Sequence, residues 1–106
     1  MNTMIGVYAI SISADHDGDA FEESMKTLVF PSTNVGQQTR GGIVTSQQLV
    51  KSAPPEADTR YFWIVRWENQ GGSPFGSEDA PPDPADKLAK FEAKTSFTKF
   101  ELVNEE

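Results

Sequence analysis

Histidine is the side chain that most readily gains or loses a proton near neutral pH, and this chain has a single one, His16. His16 lies within the acidic run Asp15-His16-Asp17-Gly18-Asp19. It could act as a general acid, a general base or a ligand, and the neighbouring carboxylates are of the type that binds Ca²⁺. The run lacks EF-hand spacing because its glycine comes too early, and capping of a following helix explains the same aspartates. We therefore predict no metal site, while the question of whether Asp15–Asp19 binds a cation stays open.

A second segment with chemical potential runs from Thr59 to Glu68 and is rich in aromatic residues. Its alternation predicts a strand with Tyr61, Trp63, Val65 and Trp67 on one face and Phe62, Ile64, Arg66 and Glu68 on the other. The rings could line a pocket for a flat ligand, Arg66 could anchor an anion, and plain core or interface packing explains the same pattern. The candidate ligand-binding residues are Tyr61, Phe62, Trp63, Arg66 and Phe75.

Phe75 belongs to the glycine-rich segment Gly71–Gly76, in which it could serve as the plug of a hinged lid or simply lie in a passive loop. Trp67 and Asn69 precede this segment and, together with His16, are the candidate catalytic residues. The chain contains no nucleophile elbow, no His-Glu-x-x-His motif and no dinucleotide-binding fingerprint. Whether the protein is an enzyme therefore stays open, and we predict no cofactor.

Composition limits the partners and the compartment. The chain has 106 residues, a net charge of −7 and no cysteine. This length suits one domain, residues 1–106. The negative charge argues against binding to nucleic acid or to an anionic membrane. Without cysteine there are no disulfides and no thiolate chemistry. The N-terminus lacks the basic region of a secretory leader, so we expect a cytoplasmic protein.

The elements that must position these residues follow from periodicity. Met4–Ala14 alternates as a strand, and Phe21, Met25, Leu28 and Val29 form one stripe of a helix that Asp17 or Asp19 caps and Pro31 ends. Residues 31–42 read as a loop. Ile43–Lys51 predicts a second strand, although two adjacent glutamines lie in its middle.

The second half of the chain follows the same alternation of elements. A connection containing Pro54-Pro55 leads into the aromatic strand, and Asn69–Pro82 predicts a long loop. Asp83-Pro84 predicts the start of a second helix with Leu88 and Phe91 in its buried stripe. Phe97–Val103 predicts a last strand. The order is βαββαβ, which is the arrangement of the ferredoxin-like fold: an α+β protomer with a four-stranded antiparallel sheet and two helices on one face.

Element order and length over nearly the whole chain resemble the dimeric α/β barrel superfamily, which includes antibiotic-biosynthesis-type monooxygenases. The resemblance lies in the Met4–Ala14 strand, the Phe21/Met25/Leu28 helix, the aromatic strand and the final strand. It implies that two protomers pack their sheets face to face as an α/β barrel, with a pocket between sheet and helices. Independently, both faces of the aromatic strand carry large apolar groups, so a second copy of the chain is expected to cover the face without helices, and the Phe62, Ile64 and Arg66 face is preferred.

Two functions follow as expectations. The first is a homodimeric protein that binds a small apolar or aromatic molecule. The alternative, implied by the resemblance, is a cofactor-independent monooxygenase acting on an aromatic or quinol-type substrate, with Trp67, Asn69 and His16 at its active site.

Overall fold

The computed structural model describes residues 2–53 and 59–106. Its strands are β1 (Asn2–Ser11), β2 (Gln38–Thr39), β3 (Gly42–Lys51), β4 (Tyr61–Asn69) and β5 (Lys94–Glu101). They form one antiparallel sheet in the order β2-β3-β4-β1-β5. The main helix, α1 (Gly18–Ser24), continues as a π-helical turn (Met25–Val29) and a 3₁₀ turn (Phe30–Ser32). Within the described ranges no helix is long and apolar enough to cross a bilayer.

The predicted ferredoxin-like βαββαβ fold, with four strands and two helices, is wrong. The segment predicted as a loop contains β2, which makes the sheet five-stranded. The second predicted α-helix is instead a 3₁₀ helix, Asp86–Phe91, kinked at Leu88. One reason is the early start of β5, because pairing between Lys94 and Ser11 takes up residues that a longer helix would have needed. The predicted connection around Pro54-Pro55 lies outside the described residues.

Helix α1 begins as the sequence predicts but changes phase before it ends. The Asp17 carboxylate caps it by accepting a hydrogen bond of 2.9 Å from the Asp19 amide. In the π-helical turn the Phe30 amide donates to the Met25 carbonyl, five residues back. This wider turn brings Val29 into the core and leaves Leu28 45% exposed, so the prediction of Leu28 as a core residue is wrong.

The core lies between the sheet and the layer that covers its inner face, which we define as the face carrying Trp63 and Trp67. Both indoles are fully buried, and Phe21 and Met25 of the helical layer are fully buried above them. Burial of aromatic and aliphatic side chains at this scale is the main force that holds the two layers together. The predicted assignment of the Tyr61, Trp63, Val65 and Trp67 alternation to one buried face matches this arrangement.

The long loop completes the layer where the second helix was expected. The Tyr8 hydroxyl donates a hydrogen bond of 2.6 Å to the Pro81 carbonyl, which ties the loop to β1. The Asp83 carboxylate accepts from the Ala85 amide and from the Thr95 hydroxyl of β5. Leu88 is fully buried in the core. The loop and the 3₁₀ helix therefore cover the inner face together with α1.

Candidate functional site

His16 lies in the turn after β1, at the end of the sheet where β4 begins. It lines a cleft of about 550 Å³ together with Ser11, Arg60 and Tyr61. Its Nε2 lies 3.4 Å from an Oε2 atom of Glu92, and its ring packs edge-on against Phe91. This single imidazole is therefore held by a carboxylate and an aromatic ring.

The acidic turn beside His16 stabilises the local backbone through hydrogen bonds. Asp17 caps α1, and the Asp15 amide donates to the Ser13 hydroxyl. No group of three or more histidine or carboxylate side chains in the described ranges is arranged to hold a metal ion.

Tyr61, which borders the same cleft, is a buried donor. Its hydroxyl donates a hydrogen bond of 3.0 Å to Glu22, and the Glu22 carboxylate also lies 3.7 Å from the Lys51 ammonium. Burial, followed by the Glu22 carboxylate, raises the pKa of Tyr61 to about 12. The phenol therefore stays protonated at neutral pH and cannot act there as a base.

The other two candidate catalytic residues lie at the opposite end of β4. Tyr61 opens this strand, whereas Trp67 and Asn69 close it. At about 3.3 Å per residue, the two ends of the strand are roughly 25 Å apart. The Asn69 side chain accepts hydrogen bonds from the Gly71 and Gly72 amides and so shapes the turn that follows the strand. The structure therefore does not bring His16 together with Trp67 and Asn69.

The candidate ligand-binding residues are also divided between locations. Tyr61 and Trp63 are buried on the inner face, whereas Phe62 and Arg66 lie on the other face of the same strand. Phe75 packs on Trp67 with its ring centroid at 5.1 Å and at nearly a right angle. No single pocket contains all five residues.

Gln47 is a partly buried residue of β3 that the sequence analysis did not single out. Its Oε1 accepts a hydrogen bond of 3.1 Å from the Trp63 indole, and its Nε2 donates one of 2.9 Å to the Phe30 carbonyl. It links β3, β4 and the end of the helical segment. The available signal was a pair of glutamines in the middle of the strand that precedes the tryptophan-bearing strand.

The outer face of the sheet is the largest feature without a covering element in the described residues. Its cross-strand rows place Ile64 beside Val7 and Ile5 beside Phe100. Phe100 is 51% exposed. The apolar side chains of this face, called the open face below, are Ile5, Val7, Ala9, Val50, Phe62, Ile64 and Phe100.

One end of the open face is polar. Arg66 makes two hydrogen bonds, of 2.8 and 3.0 Å, with the Glu105 carboxylate of the C-terminal segment. This contact raises the pKa of Arg66 and lowers that of Glu105. Next to Arg66 on the same strand, the Glu68 carboxylate accepts from the Thr3 hydroxyl. The charged groups at this end are thus paired or hydrogen-bonded.

No protein family model, curated protein or solved structure matches the chain. The geometry of the molecule is therefore the basis of the functional proposal.

Proposed function

We propose that this protein is a binding module that works as a homodimer, in which the open faces of two copies pack against each other. The observation that carries the proposal is the apolar open face, which lies opposite the layer of helix and loop. A sheet that carries large apolar side chains on both faces is normally covered on both faces. Phe62 and Ile64 are large apolar side chains of this kind on the open face.

The size of the open face suits a dimer interface. Four long strands spaced about 4.8 Å apart and rising about 3.3 Å per residue make a flat area of roughly 500 Å². The side chains that project from the sheet and the C-terminal segment near Arg66 add to this area. A standard interface buries about 800 Å² on each partner, so the face is of the right order. Its apolar centre and polar end also match the usual core and rim of an interface.

Charge distribution favours a second copy as the occupant. The chain carries −7 overall, yet the charged groups at the polar end of the open face, Arg66, Glu68 and Glu105, are locally compensated. The acidic turn and the carboxylates of α1 belong to the opposite layer. The thinnest extent of the molecule is 19 Å, whereas charge is screened over about 8 Å at physiological salt. Two open faces can therefore meet without strong repulsion, and an isologous two-fold contact uses the same patch twice.

Binding rather than catalysis is supported by the separation of His16 from Trp67 and Asn69, which leaves these three candidates unassembled in the part of the chain that the structure describes. The cysteine-free chain needs no oxidising compartment, and a cytoplasmic location is part of the proposal.

A pair of variants tests the proposal. Ile64→Asp places a charge at the centre of the open face, where an unpaired charge at a dry contact costs several kcal/mol. Ala20→Asp adds the same charge on the exposed side of α1 and serves as the control. Light scattering coupled to size-exclusion chromatography should show a dimer for the wild type and the control, and a folded monomer for Ile64→Asp, with circular dichroism confirming the fold. Unchanged association of Ile64→Asp would contradict the proposed interface.

A further inference from the structure

A cavity of about 170 Å³ lies on the inner side of the sheet, near the end of β4 that is far from His16. Its walls come from the segment after the helix, from β2 and β3, and from the long loop. Its lining side chains include Thr33, Asn34, Gln37, Thr39, Val44 and Phe75. The lining thus combines hydroxyl and amide groups with apolar side chains. None of the described residues that line it carries a charge.

The second observation is the Trp67 indole. Trp67 is fully buried, and its Nε1 has no hydrogen-bond partner among the described residues. The other tryptophan, Trp63, is equally buried but donates to Gln47. Buried indole N–H groups normally have a partner, so an unpartnered one in a native core calls for an explanation.

The orientation of the ring relates this donor to the cavity. A Cβ placed on Gly6 of β1 would lie 3.0 Å from Cζ3 of Trp67, so the benzo edge of the indole faces β1. Nε1 is on the opposite long edge of the ring system, so it points away from Gly6. On the side of β4 opposite β1, Val44 of β3 is the cross-strand neighbour of Trp67.

Two residues adjoin both the indole and the cavity. Val44 pairs with Trp67 across the strands, Phe75 packs on Trp67, and both line the cavity. Phe75 is carried by a loop in which Gly71 and Gly76 adopt positive φ values of 94° and 81°. The cavity and the buried indole therefore share two neighbouring side chains.

We propose that this cavity is a binding site for a small uncharged molecule that carries a carbonyl oxygen on a single ring or a group of similar size. An indole N–H is a donor only, so its partner must be an acceptor. A wall of hydroxyls and amides without charge favours a neutral polar ligand, and Val44 and Phe75 favour an apolar body. An apolar cavity of about 150 Å³ holds a benzene ring in another protein, which sets the size of ligand.

This inference concerns the ligand of the proposed binding module, but the cavity lies on the side of the sheet opposite the open face. The mass of the assembly therefore tests the dimer, and the experiment below tests the cavity. Each can fail while the other holds.

Benzamide is the probe, because it combines one ring with an uncharged amide carbonyl. The chain contains two tryptophans, so a ¹⁵N-labelled sample gives two indole N–H signals. We expect benzamide to move the Trp67 signal saturably, while the Trp63 signal, whose N–H is already bonded to Gln47, stays in place. The Trp67 signal is assigned through its proximity to Phe75.

Two adjacent substitutions provide the matched control. Asn34→Phe puts a ring at the cavity wall, whereas Val35→Phe puts the same ring at an exposed neighbour that does not line the cavity. Asn34→Phe should weaken benzamide binding by about tenfold or more, and Val35→Phe should leave it within about twofold of the wild type. A Trp67 signal that does not respond to benzamide, or a response equal in both variants, would overturn the proposal.

Discussion

Gln47 links a buried tryptophan to the end of the helical segment, and its removal should be costly. In Gln47→Leu, the Trp63 N–H loses its acceptor, whereas the Phe30 carbonyl loses one donor and still accepts from the amide and hydroxyl of Thr33. Trp63 is fully buried, so its N–H is left without a partner and cannot turn to water. One unsatisfied buried group costs about 1–3 kcal/mol, and burial of the leucine side chain offsets part of this. We expect a loss of about 2 kcal/mol in the free energy of unfolding, which is a large share of the roughly 5–15 kcal/mol of a typical domain.

A second glutamine, away from the open face, offers a control for this experiment. Gln37 is exposed, so Gln37→Leu should change the free energy of unfolding by no more than about 0.5 kcal/mol. Urea unfolding followed by tryptophan fluorescence measures both variants, at one protein concentration because the proposed dimer would make stability depend on concentration. Equal stability of Gln47→Leu and the wild type would refute the assigned role of this side chain.

Three further outcomes are expected. Burial raises the pKa of both tyrosines, Tyr8 and Tyr61, to about 12. The folded state therefore keeps these two protons above the ordinary tyrosine pKa of about 10. The free energy of unfolding should be at its full value below pH 10 and should fall between about pH 10 and about pH 12, by about 1.4 kcal/mol per pH unit for each tyrosine. Tyrosinate absorbance and circular dichroism should change together in that window, and a tyrosinate signal that appears near pH 10 without unfolding would contradict the burial. Because the π-helical turn leaves Leu28 exposed and Val29 buried, Leu28→Ala should change the free energy of unfolding by less than about 0.5 kcal/mol, and Val29→Ala should lower it by about 1–3 kcal/mol. A urea titration that gave the reverse order would show that the helix does not turn these side chains as described. Gly42 has a φ of 140°, and an added Cβ would meet the backbone of β4, so Gly42→Ala should destabilise by about 2 kcal/mol or more; wild-type thermal stability would show that the backbone there is not as described.

The sequence allowed the faces of β4 to be predicted because strict alternation over nine residues leaves one arrangement that buries both tryptophans. The cap of α1 was also predictable, since Asp17 precedes an amphipathic stripe. The preference for Phe62, Ile64 and Arg66 as the face away from the helix agrees with the structure, while their contact with a second copy stays a prediction.

Local irregularities were not predictable from periodicity. A bulge between Val44 and Ser46 changes which side chains of β3 face inward, so Val44 and Gln47 share a face that simple alternation would not give them. The π-helical turn changes the phase of the helix in the same way. Both irregularities depend on tertiary contacts, which a side-chain repeat of 2 residues for strands or 3.6 residues for helices does not predict.

The separation of the three candidate catalytic residues follows from the pairing of the strands. The end of β1 pairs with the start of β4, with Ile10 opposite Tyr61. A residue in the turn after β1 therefore lies near Tyr61 and a strand length away from Trp67. Antiparallel order, rather than residue type, separates His16 from the other two candidates.

The mass of the wild-type protein in solution tests the central proposal most directly. Sedimentation equilibrium over a range of micromolar concentrations should give twice the chain mass of 11.7 kDa. A mass of 11.7 kDa throughout that range would contradict the proposal that the open face is covered by a second copy.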